Sequence, residues 1–316
     1  MKLVMRQNTS FWALLLAVAV LLSACSSDDT NTTPATSDDS SEIRMDASVW
    51  QVMEGTRATT FDDAEALQTA GFKCVVYNDN ETTEYITPVN VDWDGDSWEF
   101  EGGKRYWPTS GSLDFFAYSP QTLPGNISTL TYATARNPQF TCADLPIVLT
   151  PADATKEFIW ALTTGQDKAG QGVSGVTMTF KHPFARIRFK LSAASGNKVT
   201  VNSITIPDVY RDGTCTLTGT GNTAVSTWSS LSDNASNLVI SGTPATNNDV
   251  FYLVIPCDYS SKTLTVNATW SDWGTATKDI SADVSINWEA GNSYTYTLTL
   301  SKEGLVVDVN KYTEQW

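Results

Sequence analysis

The sequence predicts an all-β chain in which two antiparallel β-sandwich domains follow one another after an apolar leader and a polar tether. Three observations predict this. Apolar and polar residues alternate with a period of two through much of the chain. Turn dipeptides such as Asp94-Gly95, Asp212-Gly213, Ser241-Gly242 and Ala290-Gly291 punctuate those runs. No long helical patterns alternate with them, which argues against parallel α/β units. A length of 316 residues suits two separate cores.

At the N-terminus, Lys2 and Arg6 precede an uninterrupted apolar run from Phe11 to Leu22. The run matches a signal-peptide core and is too short to cross a membrane at about 1.5 Å per residue. It ends in Leu22-Ser23-Ala24-Cys25, which resembles the lipobox of bacterial lipoproteins, so residues 1–24 are expected to leave and Cys25 to carry lipid. The following Ser26-Ser27-Asp28-Asp29 resembles the surface-export signals of some Gram-negative lipoproteins. Residues 25–57 read as a tether or prosegment, rich in Ser, Thr, Asp and Asn and poor in groups that could offset ordering entropy by burial. Within it Ile43, Met45, Ala47 and Val49 alternate with polar neighbours as a short strand would. Small residues around Arg57 and Ala58 then offer that arginine to a trypsin-like protease.

A short helix is expected over Asp62–Ala70, with Thr60 as N-cap and Gly71 as its stop. Strands are expected over Arg186–Leu191, Thr200–Ile206, Phe251–Ile255, Leu264–Trp270 and Tyr294–Leu300, each with one face in a core and one in water. In the first of these, Ile187, Phe189 and Leu191 point inward and Arg186, Arg188 and Lys190 outward. The Gly-rich passage Thr164–Gly172 lacks an apolar run, which places the domain boundary near residue 170 and gives domains over 58–170 and 171–316.

Charge narrows function. Twenty basic residues face 35 acidic ones, and removal of the leader leaves 18 against 35, a formal charge of -17. A phosphate backbone is repelled by such a chain, so nucleic acid is excluded as a partner. His182 is the single histidine; it lacks an accompanying G-x-S-x-G sequence, and C-x-x-C, P-loop and dinucleotide fingerprints are also missing. No catalytic, metal or cofactor residues are therefore assigned. Asp92, Asp94 and Asp96 fit the first alternate positions of a calcium loop, but the glycine falls too early and the closing Glu is absent. A hairpin turned at Asp94-Gly95 with Trp93 and Trp98 on its arms explains them better. Cys74, Cys142, Cys215 and Cys257 allow three disulfide pairings, of which a two-domain split favours Cys74 with Cys142 and Cys215 with Cys257, but the apolar strands around Cys74 and Cys257 favour free thiols. Trp93, Trp98, Trp107, Trp270, Trp273 and Trp288 offer either a sugar-stacking platform or core packing.

Three segments together resemble the fimbrillin-like (Mfa-like) family, subunits and accessory proteins of type V pili. They are Trp98–Pro120 with Tyr106-Trp107-Pro108, Phe180–Phe189, and Trp288–Tyr296. The resemblance implies two transthyretin-like β-sandwich domains and a non-enzymatic precursor exported to the outer membrane through lipid on Cys25. It implies a cut between Arg57 and Ala58 that removes the first strand and opens an apolar groove for a neighbouring subunit's extended segment. Partners are then other fimbrial subunits and a surface adhesion ligand, at the cell surface in a fimbrium. The implied donor strand is the C-terminal tail, where Leu305, Val307 and Val309 alternate and Trp316 ends the chain; the same tail also suits the last strand of the C-terminal domain. The competing expectation is an outer-membrane-anchored lipoprotein that binds glycans through exposed tryptophans.

Overall fold

Period-two alternation becomes twenty strands and one seven-residue helix among the described residues. The computed structural model describes residues 41–49, 64–79, 82–132, 137–149, 156–171, 174–193, 199–231, 236–241, 250–270, 277–301 and 304–315. First come β1 (Met45–Val49), α1 (Ala64–Ala70), β2 (Phe72–Asn78), β3 (Glu84–Trp93), β4 (Trp98–Phe100) and β5 (Leu113–Ser119). Next are β6 (Ile127–Thr131), β7 (Gln139–Cys142), β8 (Ile147–Leu149), β9 (Ile159–Gln166) and β10 (Val176–Phe180). After these run β11 (Ala185–Ala193), β12 (Val199–Val209), β13 (Gly213–Thr218), β14 (Val225–Ser229) and β15 (Ser236–Ser241). The last are β16 (Phe251–Val254), β17 (Cys257–Trp270), β18 (Thr277–Trp288), β19 (Asn292–Leu300) and β20 (Leu305–Gln315).

The strands form four sheets. Seven are ordered β10-β1-β4-β3-β2-β5-β9, five are ordered β20-β19-β11-β16-β8, and two four-stranded sheets run β15-β12-β17-β18 and β14-β13-β7-β6. Three of these sheets combine strands from both sides of residue 170, and the Gly-rich passage starts inside the end of β9 and precedes β10 of the same sheet. That sheet curls until its ends meet, where Trp160 and Lys181 exchange backbone hydrogen bonds of 3.1 and 2.8 Å. Leu67 of α1 joins the core inside the curl, and Gly71, at φ +61°, ends the helix by donating its N–H to the Leu67 carbonyl at 2.9 Å.

Three cores follow from the pleat. In the seven-stranded sheet, Phe72, Cys74, Val76, Phe115, Ala117, Ile159 and Ala161 fill one core, while Val75, Tyr77, Phe116, Tyr118, Trp160 and Leu162 fill another against β7 and β13. Both faces of β5 are thus covered, and all seven of its residues are buried. Strands covered on both faces read as near-continuous apolar runs. The third core lies between the five-stranded sheet and the β15-β12-β17-β18 sheet.

β16 departs from the half-buried expectation because it serves two of these cores. Tyr252 and Val254 enter one, and Phe251 and Leu253 enter the other. The same layering corrects the expectation that Arg186 faces water. Arg186 is only 3 % exposed; its guanidinium stacks 4.4 Å from the Phe251 ring centroid and its Nε donates to the Ser293 hydroxyl at 3.1 Å.

Candidate functional site

The first strand is the element that stands out. Ile43, Met45 and Val49 are buried and Ala47 packs partly against the same core, so the alternation read between Ile43 and Val49 is one face of β1. β1 pairs in parallel with β10, from Met45 opposite Val176 to Val49 opposite Phe180, and antiparallel with β4 at Met45 opposite Trp98. It therefore fills a slot between two strands that do not otherwise pair.

Backbone groups hold the approach to β1. The Trp107 N–H donates to the Ser41 carbonyl and the Ile43 N–H to the Arg105 carbonyl, both at 2.8 Å. On the opposite side the Val176 N–H donates to the Arg44 carbonyl at 2.8 Å. Beyond Val176 the β10 edge stops, because Gly175 takes φ +98° and turns the chain away. Gln171, 6 % exposed, continues that edge with its side chain: Nε2 donates to the Glu42 carbonyl at 2.9 Å and Oε1 accepts from the Arg44 N–H at 3.2 Å. Outside the slot, Lys104 Nζ meets Glu42 Oε2 at 2.6 Å on the surface. Sequence reading passed over Gln171 and Gly175, which lie in or beside the passage taken for a boundary; the only local signal is a glutamine amid glycines.

At the other end of the chain, β20 pairs antiparallel with β19, from Leu305 opposite Leu300 to Gln315 opposite Asn292. Leu305 and Val307 pack partly against the C-terminal core, while Val309 is 38 % exposed. The tail thus forms the edge of its own sheet. Cys25, Arg57, Ala58 and Trp316 lie outside the described residues, as do Thr60, Asp62 and Trp273.

The remaining sequence candidates have structural roles. Asp94 Oδ1 accepts the Asp96 and Ser97 N–H groups at 2.8 Å, and these bonds, Ser97's foremost, hold its carboxyl below the usual range. It is a hairpin cap, with Trp93 opposite Trp98 and their rings 5.5 Å apart edge to face. His182 Nδ1 lies 2.6 Å from Glu157 Oε1 with both residues buried, a pairing the sequence did not suggest. Cys74, Cys142, Cys215 and Cys257 are free thiols, and burial pushes Cys142 up to about 12 and Cys74 and Cys215 far above the ordinary value. Trp98, Trp107, Trp270 and Trp288 are buried in the cores, where a sugar cannot stack on them. Among the described residues, no group of three or more His, Cys, Asp or Glu side chains is placed to hold a metal ion.

Comparisons with known proteins place this architecture. A solved fimbrial protein from Bacteroides vulgatus superposes with a TM-score of 0.56 at 16% identity, over 86% of this chain and 99% of that one. A candidate cell adhesion protein from Bacteroides uniformis gives 0.54 at 19% identity, over 87% and 99%. A tip fimbrial protein, Mfa3 from Porphyromonas gingivalis, aligns over 85% of this chain and 99% of that one at 10% identity and a TM-score of 0.46. No curated protein matched the sequence. The sequence model described as fimbrillin-like matches residues 56–316, beginning just upstream of Arg57. With that match spanning most of its length, the chain belongs to the fimbrillin-like family.

Proposed function

We propose that this protein is a non-enzymatic subunit of a cell-surface fimbrium, assembled by strand exchange and supporting adhesion. In this reading residues 1–24 are the lipoprotein signal, Cys25 anchors the precursor in the outer membrane, and residues 25–57 are a prosegment removed between Arg57 and Ala58. Residues 58–316 form the mature subunit.

One observation carries the proposal. β1, upstream of Arg57, is an integral strand whose loss would uncover the pockets of Ile43, Met45 and Val49 together with unpaired edges on β10 and β4. An extended segment with apolar residues at every second position satisfies both the ladder and the pockets, which is the physics of strand addition. The C-terminal segment with Leu305, Val307, Val309 and Trp316 is the proposed donor, leaving its edge position beside β19 to enter a neighbour's slot. Processing would also remove seven acids and two bases, so that residues 58–316 carry 16 basic against 28 acidic groups, a charge of -12. Weaker mutual repulsion favours association of like subunits.

The test is an Arg57→Ala substitution in native cells. The subunit should keep its lipidated N-terminus and be missing from sheared fibres. Incorporation at the wild-type level with residues 25–57 still attached would overturn the proposal.

A further inference from the structure

Resting on the strand-exchange reading above, we infer that Gln171 is a side-chain rung that reads the backbone of whichever segment occupies the slot. A strand presents the carbonyl of residue i and the N–H of residue i+2 on the same edge, and Gln171 engages that pair at Glu42 and Arg44. A primary amide carries one donor group and one acceptor side by side, as a peptide unit does. Gln171 therefore replaces the rung that β10 loses where Gly175 turns away at φ +98°, and the ladder to β1 continues past Val176.

Two consequences follow. The rung reads no side chain of the occupant, so it suits a slot that releases one sequence and takes another. It demands an N–H at the position of Arg44, so proline is excluded there while other residues are accepted.

The experiment uses the full exported chain, nicked after Arg57 by an Arg-specific protease, and a labelled synthetic peptide copying residues 41–53. Uptake is compared for this peptide and for one in which an ester replaces the amide linking Ile43 to Arg44, which deletes the Arg44 N–H and makes the Ile43 carbonyl a weaker acceptor. In the wild-type protein the ester should lower affinity about tenfold. In Gln171→Leu the amide peptide should bind about tenfold more weakly than in wild type, and the ester should then cost less than twofold. An equal ester penalty in both proteins, or none in the wild type, would overturn the role of Gln171 while leaving strand exchange standing. Should the wild-type protein take up neither peptide, the strand-exchange reading fails and the inference with it. The ester comparison within wild-type protein needs no folded variant.

Discussion

At Gly175 a Cβ would sit 2.5 Å from both the carbonyl carbon and the oxygen of Arg44, and the backbone already holds φ +98°. Neither neighbour is a flexible side-chain end, so the contact cannot be relieved cheaply. Gly175→Ala should lower the unfolding free energy by about 1–3 kcal/mol in urea denaturation, combining left-handed backbone strain with displacement of β1. A second residue-scale expectation concerns the buried His182–Glu157 pair. His182→Ala strips a buried partner from a carboxyl group and should cost about 3 kcal/mol, measured the same way. The sequence left His182 a structural residue, because no nucleophile motif accompanied it. Glu157 was silent, since a pairing across 25 residues follows from the fold and leaves no local spacing. The same holds for Gln171, whose bond to the Glu42 carbonyl spans 129 residues.

Among elements, strands with one wet face were the most readable, as with Thr200–Ile206 inside β12, whereas Tyr294–Leu300 inside β19 was expected to keep its threonines in water and instead buries Thr295. Elements between two cores were harder. β16 was expected to keep one face in water, but Phe251-Tyr252-Leu253-Val254 is an unbroken apolar run and all four residues are buried because sheets pack on both of its faces. Alternation names the inward side chains of a strand, whereas an unbroken apolar run is the signal that both faces are covered. β1 was legible as a short strand from Ile43, Met45, Ala47 and Val49, whereas its parallel pairing with β10 was not, since register between residues 131 positions apart depends on tertiary contacts. Met45 is 5 % exposed, and Met45→Ala should cost about 2–5 kcal/mol. If β1 is the exchanged element, the penalty should appear mainly in the nicked protein, as faster loss of residues 41–57 on gel filtration. Retention of residues 41–57 at the wild-type level by the nicked Met45→Ala protein would count against that assignment.

For the whole molecule, the all-β class followed from alternation and turn chemistry, and family membership from three aromatic-rich segments; the arrangement into four sheets did not, because pairing order is a global property. A molecule-wide pH response also follows from burial. Burial raises the thiols of Cys74, Cys142 and Cys215 from an ordinary 9.0, and raises the phenols of Tyr118 and Tyr294 from 10.0 to about 12. The unfolded chain therefore loses these protons first as pH rises, holds fewer of them than the folded chain, and gains in relative stability. Lys181 acts oppositely: burial lowers it from 10.5 to about 8, so the unfolded chain keeps that proton longer. Three thiols outweigh one half-exposed lysine. The melting temperature should decline above about pH 9, and replacing Cys74, Cys142 and Cys215 with alanine should delay the decline to above about pH 10, where the tyrosines take over.

The central claim is that residues 25–57 leave and that the remainder assembles through the vacated slot. Intact-mass and N-terminal analysis of the protein sheared from native cells tests it most directly. The account predicts an N-terminus at Ala58 in a high-molecular-mass fibre. A lipidated N-terminus at Cys25 on a monomeric protein would contradict it.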